Sequence, residues 1–337
     1  MNLNKINCCP STLAPGFASY SPKAMKDLFG KRSKKISHIL SFPAPGSNSQ
    51  QTKTFNEKRK SISISGFQEK YSIKLNKNQL ELVEKSGEFI LKPIPAERLE
   101  LVEDLPANEH LTMQIACQVY QINTAINGLI FFQDGSQAYL TKRFDYIKDD
   151  LKFQIEDFAT LIGLTSETDG SEFKIKASYA DIAKTIDKYV PAAKIEKLKF
   201  FEIVVFNYAF SNGDAHLKNF SLMETSDGDY ILSPAYDLVC TALHIDDGNL
   251  SLQGGLYDKD FEAPAYSRYG FYTYNDFILF GKHIGLEEKI TAPILKKYTT
   301  INKEVPSLID RSFLSKKAKK IYLQHYLERV NRFRLMP

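Results

Sequence analysis

Three oxygen-bearing side chains in mid-chain have the types and spacing of a phosphotransfer centre. They lie in Ser211 to Asp237, SNGDAHLKNFSLMETSDGDYILSPAYD: Asp214 opens a polar loop, Asn219 comes five positions later, and Asp237 closes the stretch. A carboxylate can orient an attacking hydroxyl, while a second carboxylate and a neutral amide oxygen can hold Mg²⁺ on the phosphates of ATP. The separation allows them to meet if the loop leaves a helix and a strand–turn–strand brings the second Asp back. Thr225-Ser226-Asp227-Gly228-Asp229 marks that turn. A polar loop capped by Asp and Asn, with no chemistry, fits the same spacing. The lone His216 reads as a buttress of the loop rather than a zinc ligand.

Periodicity outlines the elements that would carry these residues. Ala193 to Phe210 is apolar on nearly all sides in its second half (Phe200, Phe201, Ile203, Val204, Val205, Phe206), which predicts a buried helix feeding the loop at Asp214. Upstream, Ser61 to Ser65 alternates with Ile62 and Ile64, Gly66 breaks it, and Tyr71 to Leu75 resumes. Strand–glycine loop–strand lets backbone N–H groups approach phosphates, and an ordinary hairpin has the same form. Gln79 to Lys92 reads as a hairpin turning at Lys85-Ser86-Gly87-Glu88 and stopped by Pro93. It ends in Lys92, where an ammonium could meet the α/β-phosphates. Leu105 to Gln121 is a predicted helix with Glu109 in its first turn, either paired with Lys92 or compensating the helix dipole.

Two strands, Gly128 to Phe132 and Ala138 to Phe144, come next. From about Phe153 helices dominate: Ile155 to Gly163, Lys176 to Tyr189, Asn275 to Gly285, Glu287 to Thr299 and Ser315 to Leu335. The stretch from Asp237 to about Tyr274 is irregular, a platform for a protein substrate. Residues 1–55 are broken by prolines, with one predicted helix from Pro22 to Phe29 and a polar linker at Gly46 to Gln51. The basic run Lys31 to Lys35 reads as a solvated face or a docking site. The basic last helix (Lys316, Lys317, Lys319, Lys320, Arg329, Arg332, Arg334) reads as solvated, with contact to tRNA or operator DNA the alternative.

A hydrophobic fraction of 43% with 25% charged residues is that of a water-soluble globular chain. A net charge of +4 is too small to argue direct nucleic-acid binding. No apolar run approaches membrane-spanning length, and the N-terminus lacks a signal-peptide core, so a cytoplasmic location is expected and no membrane partner. Cys8, Cys9, Cys117 and Cys240 form no CxxC pair and are expected to be reduced thiols.

The strings NGDAHLKNF and SPAYDL resemble the catalytic core of HipA-like serine/threonine kinases, the toxins of type II toxin–antitoxin modules. That resemblance implies a catalytic Asp214, Mg²⁺ ligands Asn219 and Asp237, and motif positions for His216 and Lys218, the latter neutralising transferring phosphate. It extends to Ser63-Ile64-Ser65-Gly66-Phe67-Gln68-Glu69-Lys70, similar to the family's phosphate loop; to Lys92 and Asn108-Glu109; to Arg143-Phe144-Asp145 at the hinge where adenine should lie; and to Glu156-Asp157-Phe158. Ser63 and Ser65 match autophosphorylation positions in the short HipT-type members. A phosphate there carries about −1.5 to −2 charges, which would repel ATP and make the modification self-inhibiting.

The implied fold is α+β and two-lobed, protein-kinase-like, with a β-rich N-lobe at 56–150, an all-α C-lobe at 151–337 and an N-terminal extension at 1–55. The implied cofactors are ATP and Mg²⁺. The implied partners are an aminoacyl-tRNA synthetase as substrate (tryptophanyl-tRNA synthetase for HipT-type members), a cognate antitoxin with a DNA-binding helix-turn-helix, and a small separate protein in place of a missing N-terminal subdomain. Other readings are a catalytically inactive kinase-fold scaffold or co-repressor bound to an antitoxin, and a kinase of small molecules or lipids.

Overall fold

The computed structural model describes residues 6–30, 36–45, 69–96, 99–148, 151–246 and 248–335. The chain forms two compact units. The first is Met1–Ile115, Ala125–Lys152 and Ser307–Lys319; the second is Ala116–Thr124, Phe153–Pro306 and Lys320–Pro337. The predicted basic run at 31–35, the linker at 46–51 and the strand and glycine loop at 61–68 lie outside the described residues.

The strands of the first unit's sheet are β1 (Tyr71–Asn76), β2 (Gln79–Leu82), β3 (Phe89–Pro93), β4 (Asn127–Phe131) and β5 (Gln137–Lys142), antiparallel in the order β2-β1-β3-β5-β4. Alternation in β1 and β2 and the more continuous burial of β3 to β5 build it. One face carries Tyr71, Ile73, Phe89, Leu91, Ala138 and Leu140, all buried in one cluster with Ala24, Leu28 and Phe29 of α1 (Pro22–Phe29). Ser21 caps α1 by accepting from the Ala24 N–H, and Pro22 presets its first turn. Ile39 bridges Phe131, and Leu129 N–H donates to the Pro10 carbonyl, so N-terminal residues cover the outer edge of β4. The opposite face carries Lys92, with Tyr139 and Leu129 beside it in register.

The expected hairpin over Gln79 to Lys92 is not formed; β2 and β3 flank β1 from opposite sides. The two-residue turn Lys77-Asn78, with Lys77 at φ 55°, closes β1 onto β2. Gly87 then crosses close to β1, where a Cβ would lie 2.9 Å from Ile73 N, and delivers β3 to the far edge. A small ribbon, β6 (Tyr146–Lys148) with β7 (Leu151–Lys152), comes after β5. Helix α2 (Leu105–Gln118) begins beside Asp104, whose carboxylate accepts from Ser315 N at 2.6 Å and Ser315 Oγ at 2.7 Å. That buried carboxylate draws 307–319 into the first unit, a link of 211 positions along the chain.

The second unit is mostly helical, but it is not the all-α lobe expected, because it carries a three-stranded sheet. β8 (Ile155–Asp157) pairs with β9 (Ser221–Glu224), which pairs with β10 (Tyr230–Leu232). The predicted helix at Ile155 to Gly163 therefore starts late. Its first three residues join β9, and Asp157 N-caps α3 (Phe158–Ile162) by accepting from Thr160 N. Long-range pairing and the capping preference of Asp override local helix propensity there. The remaining helices of six residues or more are α4 (Tyr179–Tyr189), with a Ser178/Asp181 capping box; α5 (Ala193–Ala209); α6 (Pro264–Tyr269); α7 (Tyr274–His283); α8 (Glu288–Lys296); α9 (Glu304–Arg311); and α10 (Lys316–Arg334). Neither α6 nor α9 is among the predicted helices.

In α5, Phe200, Phe201, Val204, Val205 and Phe206 are all fully buried. At roughly 1.5–3 kcal/mol for each side chain removed from water, burial rather than capping fixes this helix, whose N-cap Ala192 supplies no side-chain bond. Among the described residues no helix is long and apolar enough to cross a membrane.

Candidate active site

In the first unit, Lys92 and Glu109 form a buried ion pair, Nζ to Oε1 at 2.7 Å. Only 4% and 3% of their surfaces are exposed, so water screens the pair little. The ammonium also lies 5.4 Å from the centroid of Tyr139, its cross-strand neighbour, an attractive geometry for a cation. β3 thus ends in an ammonium of fixed position, and α2 supplies the carboxylate that fixes it. After β5, Arg143 grips Asp145 with two bonds, Nε to Oδ1 at 2.9 Å and Nη2 to Oδ2 at 2.5 Å. Asp145 is buried, while Arg143 and Phe144 are half-buried. Lys70 is half-buried just before β1; Ser63, Ser65, Gly66 and Gln68 lie outside the described residues.

In the second unit, α5 ends at Ala209 and the chain turns sharply at Ser211, φ 52°. Asn212, only 2% exposed, organises the loop beyond it. Its Nδ2 donates to Asn207 Oδ1 at 2.8 Å and to the carbonyl of Asp237 at 3.4 Å. Its Oδ1 accepts from the N–H of Asp214 at 3.3 Å. One buried amide therefore ties the helix end, the loop and the residue beyond β10. Asn219 closes the loop, its Nδ2 donating to the Asp214 carbonyl at 3.1 Å. Tyr179 supports the loop from below by donating to the Ala215 carbonyl at 2.8 Å. Asp237 has φ 55°, a left-handed conformation unusual outside glycine, of the kind found where surrounding structure imposes a site's geometry. Asn219 and Asp237 line one small cavity together with Asn207 and Asn212.

The Asp214 side chain is half exposed, which leaves its carboxylate open to solvent. His216 is buried, with Nε2 4.0 Å from Asp214 Oδ1. Burial holds its imidazole below the usual histidine value, against the opposing pull of Asp214. Lys218 donates to Asp157 Oδ2 at 2.5 Å, and its carbonyl accepts from Tyr236 OH at 3.0 Å.

The donor set suits Mg²⁺. Asn219 commits its Nδ2 to the loop, which leaves Oδ1 as the side chain's acceptor, and Asp237 lines the same cavity. Two hard oxygen ligands from protein, completed by phosphate and water, are the usual Mg²⁺ arrangement. Asn212, Asp157 and Tyr179 carry positioning roles that sequence reasoning missed. Asn212-Gly213 is legible as a turn dipeptide, but a turn signal does not reveal what its amide binds.

Residues 62–305 match the model of the HipA-like C-terminal domain family, well over half of the chain. A protein of Haemophilus influenzae that carries the provisional name of a kinase is 27% identical over 293 residues, 80% of this chain and 78% of that protein. The provisionally named kinase Y4dM of Sinorhizobium fredii is 33% identical over 110 residues, 33% of this chain and 25% of its own length. Among solved structures, HipA of Shewanella oneidensis, in a complex with HipB and operator DNA, superposes with TM-score 0.61 at 19% identity, covering 87% of this chain and 74% of HipA. The Helicobacter pylori proinflammatory kinase CtkA gives TM-score 0.50 at 15% identity, covering 77% and 90%. These two likenesses concern the fold, which is the kinase-like α+β class with a sheet-bearing first part and a helical second part. With the family model spanning the Lys92–Glu109 pair, the loop at Asp214 and the return to Asp237, the chain belongs to the HipA-like kinase family.

Proposed function

We propose that this chain is an ATP-dependent protein serine/threonine kinase and the toxin of a type II toxin–antitoxin pair, of the short HipT-type. One observation carries the reading: the Asn212 amide holds both the Asp214 N–H and the Asp237 carbonyl. A loop acid and a metal-ligand candidate from separate parts of the chain are thereby set by one buried side chain.

In this reading the Asp214 carboxylate accepts the proton of a serine or threonine hydroxyl as that oxygen bonds to the γ-phosphorus. The bond from phosphorus to the bridging oxygen of ADP breaks, and the electron pair leaves with ADP. Lys92, held by Glu109, binds phosphate oxygens. Arg143, Phe144 and Asp145 border the adenine. Asn219 and Asp237 would hold Mg²⁺, which when bound neutralises charge on the phosphates. Lys218, placed by Asp157, adds positive charge near the loop, and neutral His216 buttresses it. Gly66, Gln68 and Lys70 complete a phosphate loop in which phosphate on Ser63 or Ser65 would block ATP.

The protein substrate in this proposal is an aminoacyl-tRNA synthetase in the cytoplasm, tryptophanyl-tRNA synthetase first among them, so that modification halts translation and arrests growth. An antitoxin comparable to the HipB partner of the Shewanella protein restrains it, and a small separate protein supplies the N-terminal subdomain. The test is radiolabelled ATP with Mg²⁺, the full chain and purified synthetases, with Asp214→Asn as the control. Label in a synthetase or in the chain itself, lost in the variant, supports the reading. Wild type that labels no protein above the variant refutes it and favours the scaffold alternative; label in a metabolite alone favours a small-molecule kinase.

A further inference from the structure

Arg329 departs from the solvated stripe expected of the last helix. It is 7% exposed, its guanidinium lies 4.5 Å from the centroid of Tyr208, and its hydrogen-bond acceptors among the described residues are neutral. Nε donates to Ser211 Oγ at 2.9 Å and Nη1 to Asn249 Oδ1 at 2.9 Å. Arg332, stacked 4.6 Å from the centroid of Phe271, donates to the same Asn249 oxygen at 2.5 Å. Asn249 in turn donates through Nδ2 to the carbonyl of Gly270, the residue that caps α6.

Stability alone gives little reason for a cation at this position. A methionine would fill similar volume without the desolvation cost of the charge, which outweighs the attraction of Tyr208 and Glu328. What the guanidinium does is geometric. A planar fork reaches two acceptors at once, which an ammonium cannot do with the same fixed angles. One acceptor is the left-handed Ser211, three residues before Asp214, whose carbonyl is gripped from another direction by Thr241 Oγ1 at 3.1 Å. Thr241 Oγ1 also accepts from Gly213 N at 2.8 Å. The other acceptor belongs to the segment after Asp237, in which a protein substrate is expected to lie.

We propose that Arg329 is a positioning residue for phosphoryl transfer: it sets the loop bearing Asp214 through Ser211 and couples that loop, through Asn249, to the segment ending at Gly270. The inference rests on the kinase reading. Displacement of a reacting group by about 1 Å can cost about 10²-fold in rate, and Arg329 makes no contact that would hold ATP. Its loss therefore acts on kcat and spares the KM for ATP.

The experiment measures initial rates of phosphate incorporation from radiolabelled ATP into the full chain, across ATP concentrations, for wild type, Arg329→Met, Arg329→Lys, Ser211→Ala and the Arg329→Met/Ser211→Ala double variant. The expected result is a fall in kcat of at least tenfold in both Arg329 variants, a smaller fall in Ser211→Ala, KM for ATP within twofold throughout, and a double variant no slower than Arg329→Met. Wild type that labels while Ser211→Ala and Arg329→Met both keep kcat within twofold overturns the positioning role and leaves the kinase reading standing. A KM for ATP that rises with falling kcat also overturns it. Wild type that labels no better than Asp214→Asn removes the kinase reading and this inference with it. If Arg329→Met does not fold, Ser211→Ala, which deletes a single hydroxyl, decides the matter.

Discussion

Breaking and then removing the Lys92–Glu109 pair separates what it does for stability from what it does for chemistry. Both side chains are almost wholly buried and 2.7 Å apart. Taking away one partner leaves the other charge in a site of low polarisability, which typically costs about 3–5 kcal/mol. Lys92→Met alone removes the ammonium that offsets the Glu109 carboxylate, and Glu109→Leu alone removes the carboxylate that offsets the ammonium. Each is expected to lose several kcal/mol by urea unfolding. The double variant puts two apolar side chains of similar length in the same space and is expected to regain most of that loss, since replacing a buried pair by hydrocarbon is often close to neutral. Phosphate incorporation behaves differently. All three variants are expected to fall by at least 10²-fold, because repacking restores the fold but returns no ammonium to the phosphates. Additive losses of stability would refute the energetic coupling inferred from the geometry. A double variant that labels within threefold of wild type would refute the role of Lys92.

Asn212→Ala leaves the Asn207 amide oxygen and the Asp214 N–H without their buried partner. The expected outcome is a loss of about 2–4 kcal/mol by urea unfolding and about 10²-fold in rate from misplacement of Asp214; an unchanged rate would disprove the Asn212 tie. His110 is fully buried with Nε2 against the Ser11 carbonyl at 2.8 Å and Nδ1 without a partner, and burial lowers its pKa from 6.5 to about 4. The unfolded chain therefore binds the proton first. Stability falls as pH drops from about 6.5 toward 4, by roughly 3 kcal/mol from this group, and a His110→Asn variant whose unfolding shows the same pH slope as wild type would disprove it. Ser63→Ala/Ser65→Ala is expected to bind ATP tighter than phosphorylated wild type in calorimetry, and equal affinity would end the proposal of self-inhibition.

Several elements are legible because their causes are local. Ser21-Pro22 announces α1, and Thr225 to Asp229 turns β9 into β10. In each case neighbours in sequence make the deciding bond. The motif at Asp214 to Asn219 is legible through its family resemblance, and its loop closes on itself within five positions. Tyr179 and Arg329 give no such signal for their partners. A single polar contact has no period, and the partners of these two lie 36 and 118 positions away.

The sheet of the first unit sharpens the distinction. Alternation marks β1 and β2 as strands and an apolar run stopped by Pro93 marks β3, yet the reading joins the adjacent pair β2 and β3 as a hairpin, when both pair with β1. Side-chain period says which face of a strand is buried; it does not say which edge meets which, because every strand edge offers the same N–H and C=O groups. The order of residues along the chain was enough to mark β1 to β5, most of the long helices and the motif at Asp214. Strand order, the burial of Arg329 and the hold of Asn212 on two distant segments emerge only in the packed chain, since they depend on buried polar groups finding partners far along it.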